Sequence, residues 1–133
     1  MQQIKLRSRI ESVDEAAMKA DEFARSCGLG DEFIFAIDLA IRESVANAVK
    51  HGNKFDESKD VEITFDDSSD GFEITVRDHG AGFAVDDIAD PTDPENLLKA
   101  NGRGILFMNS FMDEVTWVSH DEGGTVVRMV KKH

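Results

Sequence analysis

Apolar residues recur along this chain with two different periods. Over residues 3–10 they alternate with polar ones, with Ile4, Leu6 and Ile10 on one face, which predicts a strand. Ser12 and Glu15 have the spacing of a capping box. Val13, Ala16, Ala17, Ala20, Phe23, Ala24 and Cys27 then follow at helical spacing and Gly28 supplies a stop, so a first amphipathic helix is expected over 13–27. A second, longer helix is expected from Gly30-Asp31 to about His51, closed by Gly52, with Ile34, Ile37, Ile41, Val45 and Ala48 as its apolar stripe. Residues 53–60 are polar and read as a loop. Val61, Ile63 and Phe65, then Phe72, Ile74 and Val76, alternate on either side of a turn at Asp67–Gly71, the pattern of a hairpin.

Beyond that hairpin the pattern loosens. Residues 84–103 hold four aspartates (Asp86, Asp87, Asp90, Asp93) and both prolines, and long loops of this kind are usually functional or mobile, so a lid is expected there. A third helix is expected around Ile105–Met112. A second hairpin closes the chain, with Val115 and Trp117 before a turn at Asp121–Gly124 and Val127 and Met129 after it. Separated hairpins with helices between them suggest an α+β fold, a two-layer sandwich of a mixed β-sheet covered on one face by helices.

Composition narrows the function. The chain has 133 residues, 41% of them hydrophobic, which suits one globular domain over 1–133 with a proper core. A formal net charge of −12 argues against nucleic-acid binding, because a phosphate backbone would be repelled. Cys27 is the single cysteine, so no intrachain disulfide is possible, and its place on an apolar stripe suits a core thiol. The first residues alternate from the start and show no signal peptide, and no apolar run approaches the roughly 20 residues of a membrane span. A cytoplasmic protein is expected.

Three short constellations could carry chemistry. Glu43 and Asn47 are four residues apart near the end of the second helix, so they lie one above the other, away from the apolar stripe. A carboxylate over a carboxamide offers a proton acceptor beside a neutral oxygen ligand for a hard cation such as magnesium. The same pair also fits a solvated helix face. Asp78-x-Gly80-x-Gly82 follows a strand, where an aspartate can accept a hydrogen bond from the amino group of a base and the glycines let backbone approach a flat ring. Gly102-x-Gly104 precedes a helix, a place where backbone N–H groups meet phosphate. Neither a P-loop nor a dinucleotide fingerprint is present. Gly124-Thr125 is explained by a turn followed by a β-branched strand residue.

Taken together, E-x-x-x-N-A-x-x-H-G, D-x-G-x-G-F, G-x-G-I and G-T, in that order and at these distances, resemble the GHKL ATPase superfamily of gyrase, heat-shock chaperones, histidine kinases and MutL. The compact chain, with two helices before the first motif, is similar to the anti-sigma factor serine kinases of the RsbW and SpoIIAB type, as is the run Asn109–Asp113. The resemblance implies a Bergerat-type ATP-binding fold and a serine/threonine-protein kinase that uses ATP and Mg2+. Such a kinase sequesters a sigma factor and phosphorylates a STAS-type anti-anti-sigma antagonist.

By that resemblance Glu43 is the general base, Asn47 the magnesium ligand, and Asp78 the acceptor for the adenine amino group, helped by Thr125. Gly80 and Gly82 shape the base pocket, and Gly102, Arg103 and Gly104 line the phosphates. The resemblance also suggests a homodimer. Two other functions compete with it. One is a nucleotide-responsive binding module of the same fold that holds a partner without phosphoryl transfer. The other is the catalytic half of a histidine kinase, which the positions of His51, His79, His120 and His133 fit poorly.

Overall fold

The computed structural model describes residues 1–80 and 111–133. The chain runs β1 (Gln2–Arg7), α1 (Glu11–Ser26), α2 (Asp31–Asn47), a π-helical turn (Ala48–Gly52), β2 (Asp60–Asp67), β3 (Gly71–Arg77), β4 (Glu114–Ser119) and β5 (Thr125–Lys132). The strands form one five-stranded sheet in the order β1-β2-β3-β5-β4. The α+β sandwich with helices over one face is therefore observed. Among the described residues all four pairings are antiparallel, in place of the mixed sheet suggested by the order of elements. The reason lies in the connections. Two consecutive helices, instead of one crossover helix, separate β1 from β2, and hairpins join β2 to β3 and β4 to β5.

Register is set by the buried face. Ile4 lies opposite Ile63 and Leu6 opposite Val61; Ile63 faces Val76 and Phe65 faces Ile74. Across β3 and β5, Ile74 meets Met129 and Val76 meets Val127. A slip of one residue would turn this apolar row to solvent, so burial and register enforce one another. Each fully buried side chain of this size contributes about 2 kcal/mol. The opposite face is charged, with Glu62 on β2 between Lys5 and Arg77, and Arg128 on β5 bonded to Glu73 of β3.

α1 packs through small residues. Ala16, Ala17, Ala20 and Ala24 are all fully buried, and Phe23 stacks its ring on Phe65 at 5.9 Å between centroids. The capping box does not form. Glu11 already opens the helix after Ile10, and buried Ser12 donates its hydroxyl to the Arg7 carbonyl at 2.6 Å. The strand correspondingly ends at Arg7, leaving Ile10 exposed, because the chain must turn at once to lay α1 on the sheet. Gly28 does stop α1. It adopts φ +80°, and the Leu29 N–H reaches back to the Ala24 carbonyl at 3.2 Å. Cys27 is a free, half-buried thiol at that end.

α2 buries its expected stripe, Ile34, Ile37, Ile41, Val45 and Ala48. Its end differs from expectation. The helix widens into the π turn, with the Asn53 N–H bonded to the Ala48 carbonyl at 2.8 Å. The residues with left-handed backbone there are Lys54 and Phe55, with φ of 52° and 61°, and not Gly52. The lid at 84–103 and the third helix up to residue 110 lie outside the described residues.

Candidate functional site

The last turns of α2 and the first residues after β3 meet at one end of the sheet. Glu43 is half-buried, and burial raises its carboxyl above the ordinary carboxylate range, while the Lys50 charge and then the Asn47 carboxamide pull it back. Asn47, one turn on, is 4% exposed. Its amide lies near enough to Glu43 to be felt there, yet among the described residues Nδ2 meets no acceptor in hydrogen-bond geometry. A buried, unpaired polar atom is costly unless something else satisfies it. A half-turn of the amide would present Oδ1 at the same place, so this position suits a hard cation or a donor equally.

Asp78 is buried at the end of β3. Burial raises its carboxyl, opposed by the backbone N–H groups of Gly80 and Thr125 and then by the charges of His79 and Arg77. Both N–H groups donate to Oδ1, at 3.0 Å from Gly80 and 3.2 Å from Thr125. The Asp78 N–H in turn donates to the Thr125 carbonyl at 3.1 Å, so the start of β5 holds both ends of this residue. Thr125 is 4% exposed, and its Oγ1 is buried with no hydrogen-bond partner among the described residues. Ser44, Ala48, Val76, Asp78, Trp117 and Thr125 surround a cavity of about 10 Å³, room for roughly one water.

Glycines make this junction possible. A Cβ on Gly80 would lie 1.8 Å from the Gly52 carbonyl oxygen, and one on Gly52 would lie 2.3 Å from Asp78 Cγ and Oδ2. Gly124, at φ +88°, would place a Cβ 2.0 Å from the Asp78 carbonyl oxygen. Gly52 thus serves close approach between helix end and strand end, where the sequence alone suggested a helix stop.

Of the expected site residues, Glu43 and Asn47 share one helix face, and Asp78, Gly80 and Thr125 share the junction at the start of β5. Gly82, Gly102, Arg103 and Gly104 lie outside the described residues. Gly52, Gly124 and Asn53 were not among the expected site residues. Asn53 sits in the stretch read as a polar loop, yet it is 1% exposed. Its burial follows from partners 26 and 45 positions away in the chain, and no local pattern reports those. Among the described residues no group of three His, Cys, Asp or Glu side chains is placed to hold a metal ion.

Residues 6–131 match the family described as the histidine kinase-like ATPase domain. The chain belongs to this family of ATPase domains. An anti-sigma F factor from Clostridium perfringens is 37% identical over 100 residues, covering 72% of this chain and 70% of the relative. A serine-protein kinase RsbW from Oceanobacillus iheyensis is 27% identical over 135 residues, covering 97% of this chain and 84% of the relative. Within the family the chain therefore falls with the anti-sigma factor and RsbW group, whose activity class is serine/threonine-protein kinase. The solved RsbU and RsbW domains of a Mycobacterium tuberculosis protein superpose with a TM-score of 0.68 at 18% identity, over 98% of this chain and 31% of that one. A histidine kinase domain from Erythrobacter litoralis gives 0.59 at 17% identity, over 96% and 61%. At these identities the likeness is one of fold.

Proposed function

We propose that this protein is a cytoplasmic, single-domain anti-sigma regulatory kinase. It binds ATP with magnesium, holds a sigma factor, and phosphorylates a serine of a STAS-type antagonist, acting as a homodimer. The observation that carries the reading is the pairing of two unsatisfied buried groups with one raised carboxyl. Asn47 Nδ2 and Thr125 Oγ1 have no partner in hydrogen-bond geometry among the described residues, and Glu43 lies one helical turn from the first of them. Buried polar atoms are rarely left unpaired in native proteins, and a bound ligand is one thing that completes them.

Each residue then has a role set by its surroundings. Asp78, aligned by two N–H groups on Oδ1, accepts a hydrogen bond from the adenine amino group, and the Thr125 hydroxyl completes that edge. Gly80 lets the backbone pass close to the base. Asn47 would hold the magnesium ion, which when bound neutralises charge on the phosphate oxygens. Glu43 takes the proton from the antagonist's serine hydroxyl as the serine oxygen bonds to the γ-phosphorus and the bond to the ADP oxygen breaks. A carboxyl raised by burial is a stronger base for that step than an exposed one. Gly82, Gly102, Arg103 and Gly104 complete the base and phosphate walls in this reading.

The test is transfer of labelled phosphate from ATP to a cognate antagonist. Glu43→Gln should lower the rate by about 10²- to 10⁴-fold while nucleotide affinity stays within a factor of about two. Unimpaired transfer by the variant would remove Glu43 from the mechanism. If the unaltered protein binds magnesium-ATP yet labels no antagonist, the binding-module reading replaces the kinase.

A further inference from the structure

We propose that Asn53 is a positioning residue for nucleotide recognition: its carboxamide fixes the distance between the Glu43/Asn47 face of α2 and the carboxyl of Asp78. This rests on the reading of Asp78 as the acceptor for the base. Asn53 follows the π turn directly, and its side chain reaches three separate parts of the chain. Oδ1 accepts the backbone N–H of His79 at 2.8 Å. Nδ2 donates to the Ser8 hydroxyl, at the junction of β1 and α1, and to the Asp60 carbonyl at the start of β2 at 3.1 Å. Ser8 is itself fixed, since its hydroxyl and its N–H both donate to the Lys59 carbonyl, at 2.9 and 3.2 Å.

These partners determine the orientation of the amide. A peptide N–H needs an acceptor and a peptide carbonyl needs a donor, and the carboxamide of Asn53 supplies one at each end. The peptide unit it holds is the one that joins Asp78 to His79. Without Asn53, that segment keeps its bonds to β5 through Asp78 N–H and Oδ1, as well as the bond from Gly80 to Asp78 Oδ1. It loses the hydrogen bond from its backbone to the end of α2. The base acceptor would then follow β5, while the metal and proton-acceptor face would follow the helix. The Gly52–Gly80 contact shows how little room there is for such a shift, because backbone meets backbone there.

A residue that only stabilised the fold would lower the melting temperature and leave nucleotide preference alone. The readout is therefore the ratio of affinities for ATP and GTP, measured by calorimetry on the full chain well below its melting temperature. GTP carries a carbonyl where ATP carries the amino group, so the ratio reports the placement of Asp78. Asn53→Ala should lower the ratio by about tenfold. Ser8→Ala, which weakens the same network but leaves the His79 bond, should lower the melting temperature and keep the ratio within about twofold. If Asn53→Ala does not fold, Asn53→Ser, whose side chain is too short to reach His79, carries the same test.

Asp78→Asn separates the two claims. A ratio that collapses in Asp78→Asn and persists in the Asn53 variant overturns the positioning role and leaves the base pocket standing. A ratio unmoved by Asp78→Asn overturns the base pocket, and the role of Asn53 with it. An equal fall in Ser8→Ala and Asn53→Ala means general loosening, which also overturns the proposal.

Discussion

Asn47 and Asn53 are six positions apart, on either side of the π turn, and both are buried. Asn53 uses both ends of its amide on protein partners, and Asn47 Nδ2 meets no hydrogen-bond acceptor among the described residues. The same side chain at the same depth thus does opposite things. A buried amide with its hydrogen bonds made locks elements together, and one with an unmade bond carries a cost that a bound partner could relieve. Thr125 and Asp78 repeat the contrast one strand away. The Asp78 Oδ1 atom is occupied by two backbone N–H groups, and the Thr125 hydroxyl is not paired. The framework and the site interleave residue by residue, with no separate region for each.

Substitution can break this contrast in graded steps. The largest effect should come from Gly80→Ala. Its Cβ would meet the Gly52 carbonyl, which is backbone and cannot rotate away, so the framework and the site should fail together. A loss of more than about 3 kcal/mol is expected in chemical denaturation, with nucleotide binding lost at the same time. Next is Asn53→Ala, which strands the His79 N–H and the Asp60 carbonyl inside the protein. It should cost about 2 kcal/mol in the absence of any ligand.

Thr125→Val should do the reverse. The swap nearly conserves volume and removes a hydroxyl that no protein group satisfies, so ligand-free stability should change by less than about 1 kcal/mol. The stabilisation conferred by magnesium-ATP, read as a thermal shift, should nevertheless shrink. If Thr125→Val instead destabilised the free protein as much as Asn53→Ala, the division between satisfied and unsatisfied groups would be wrong.

The smallest effect sharpens the rule by its exception. Asp21 Oδ1 is also buried without a hydrogen bond, but it lies on α1, among Asp38 and Arg42 of α2, away from the junction. Burial first, and then the Asp38 charge, raise its pKa from 3.8 to about 6. Here a proton completes the orphan. Because the folded state binds that proton more tightly than the unfolded chain, the contribution is unfavourable above pH 6, shrinks as pH falls through the folded pKa, and is gone below about pH 4. Asp21→Asn should therefore raise the melting temperature slightly at pH 7, and the gain should vanish by pH 4. A gain that persisted at pH 4 would show that the carboxylate charge is not its source.

Much of this architecture was legible beforehand because it is local. The 3.6-residue stripe of Ile34, Ile37, Ile41 and Val45, the alternation of Val61, Ile63 and Phe65, and the stop at Gly28 each depend on neighbours within a few positions. The pairing of Glu43 with Asn47 was legible for the same reason, since a spacing of four puts two side chains on one helix face. Ser12 misled because the capping-box pattern is equally satisfied by a residue already inside the helix that bonds back to the preceding strand. Gly52 misled because a glycine after a helix is usually a stop, and here it is a point of backbone contact.

The order of apolar and polar residues thus determined the elements, the buried face of the sheet and the motifs that mark the family. Only the tertiary structure decided that the described strands pair antiparallel, that helix end and strand end meet across glycines, and which buried polar groups are satisfied. Hydrogen bonds between residues 8, 53 and 79 join positions whose separation leaves no periodic trace, because each side chain's burial is set by partners far away in the chain.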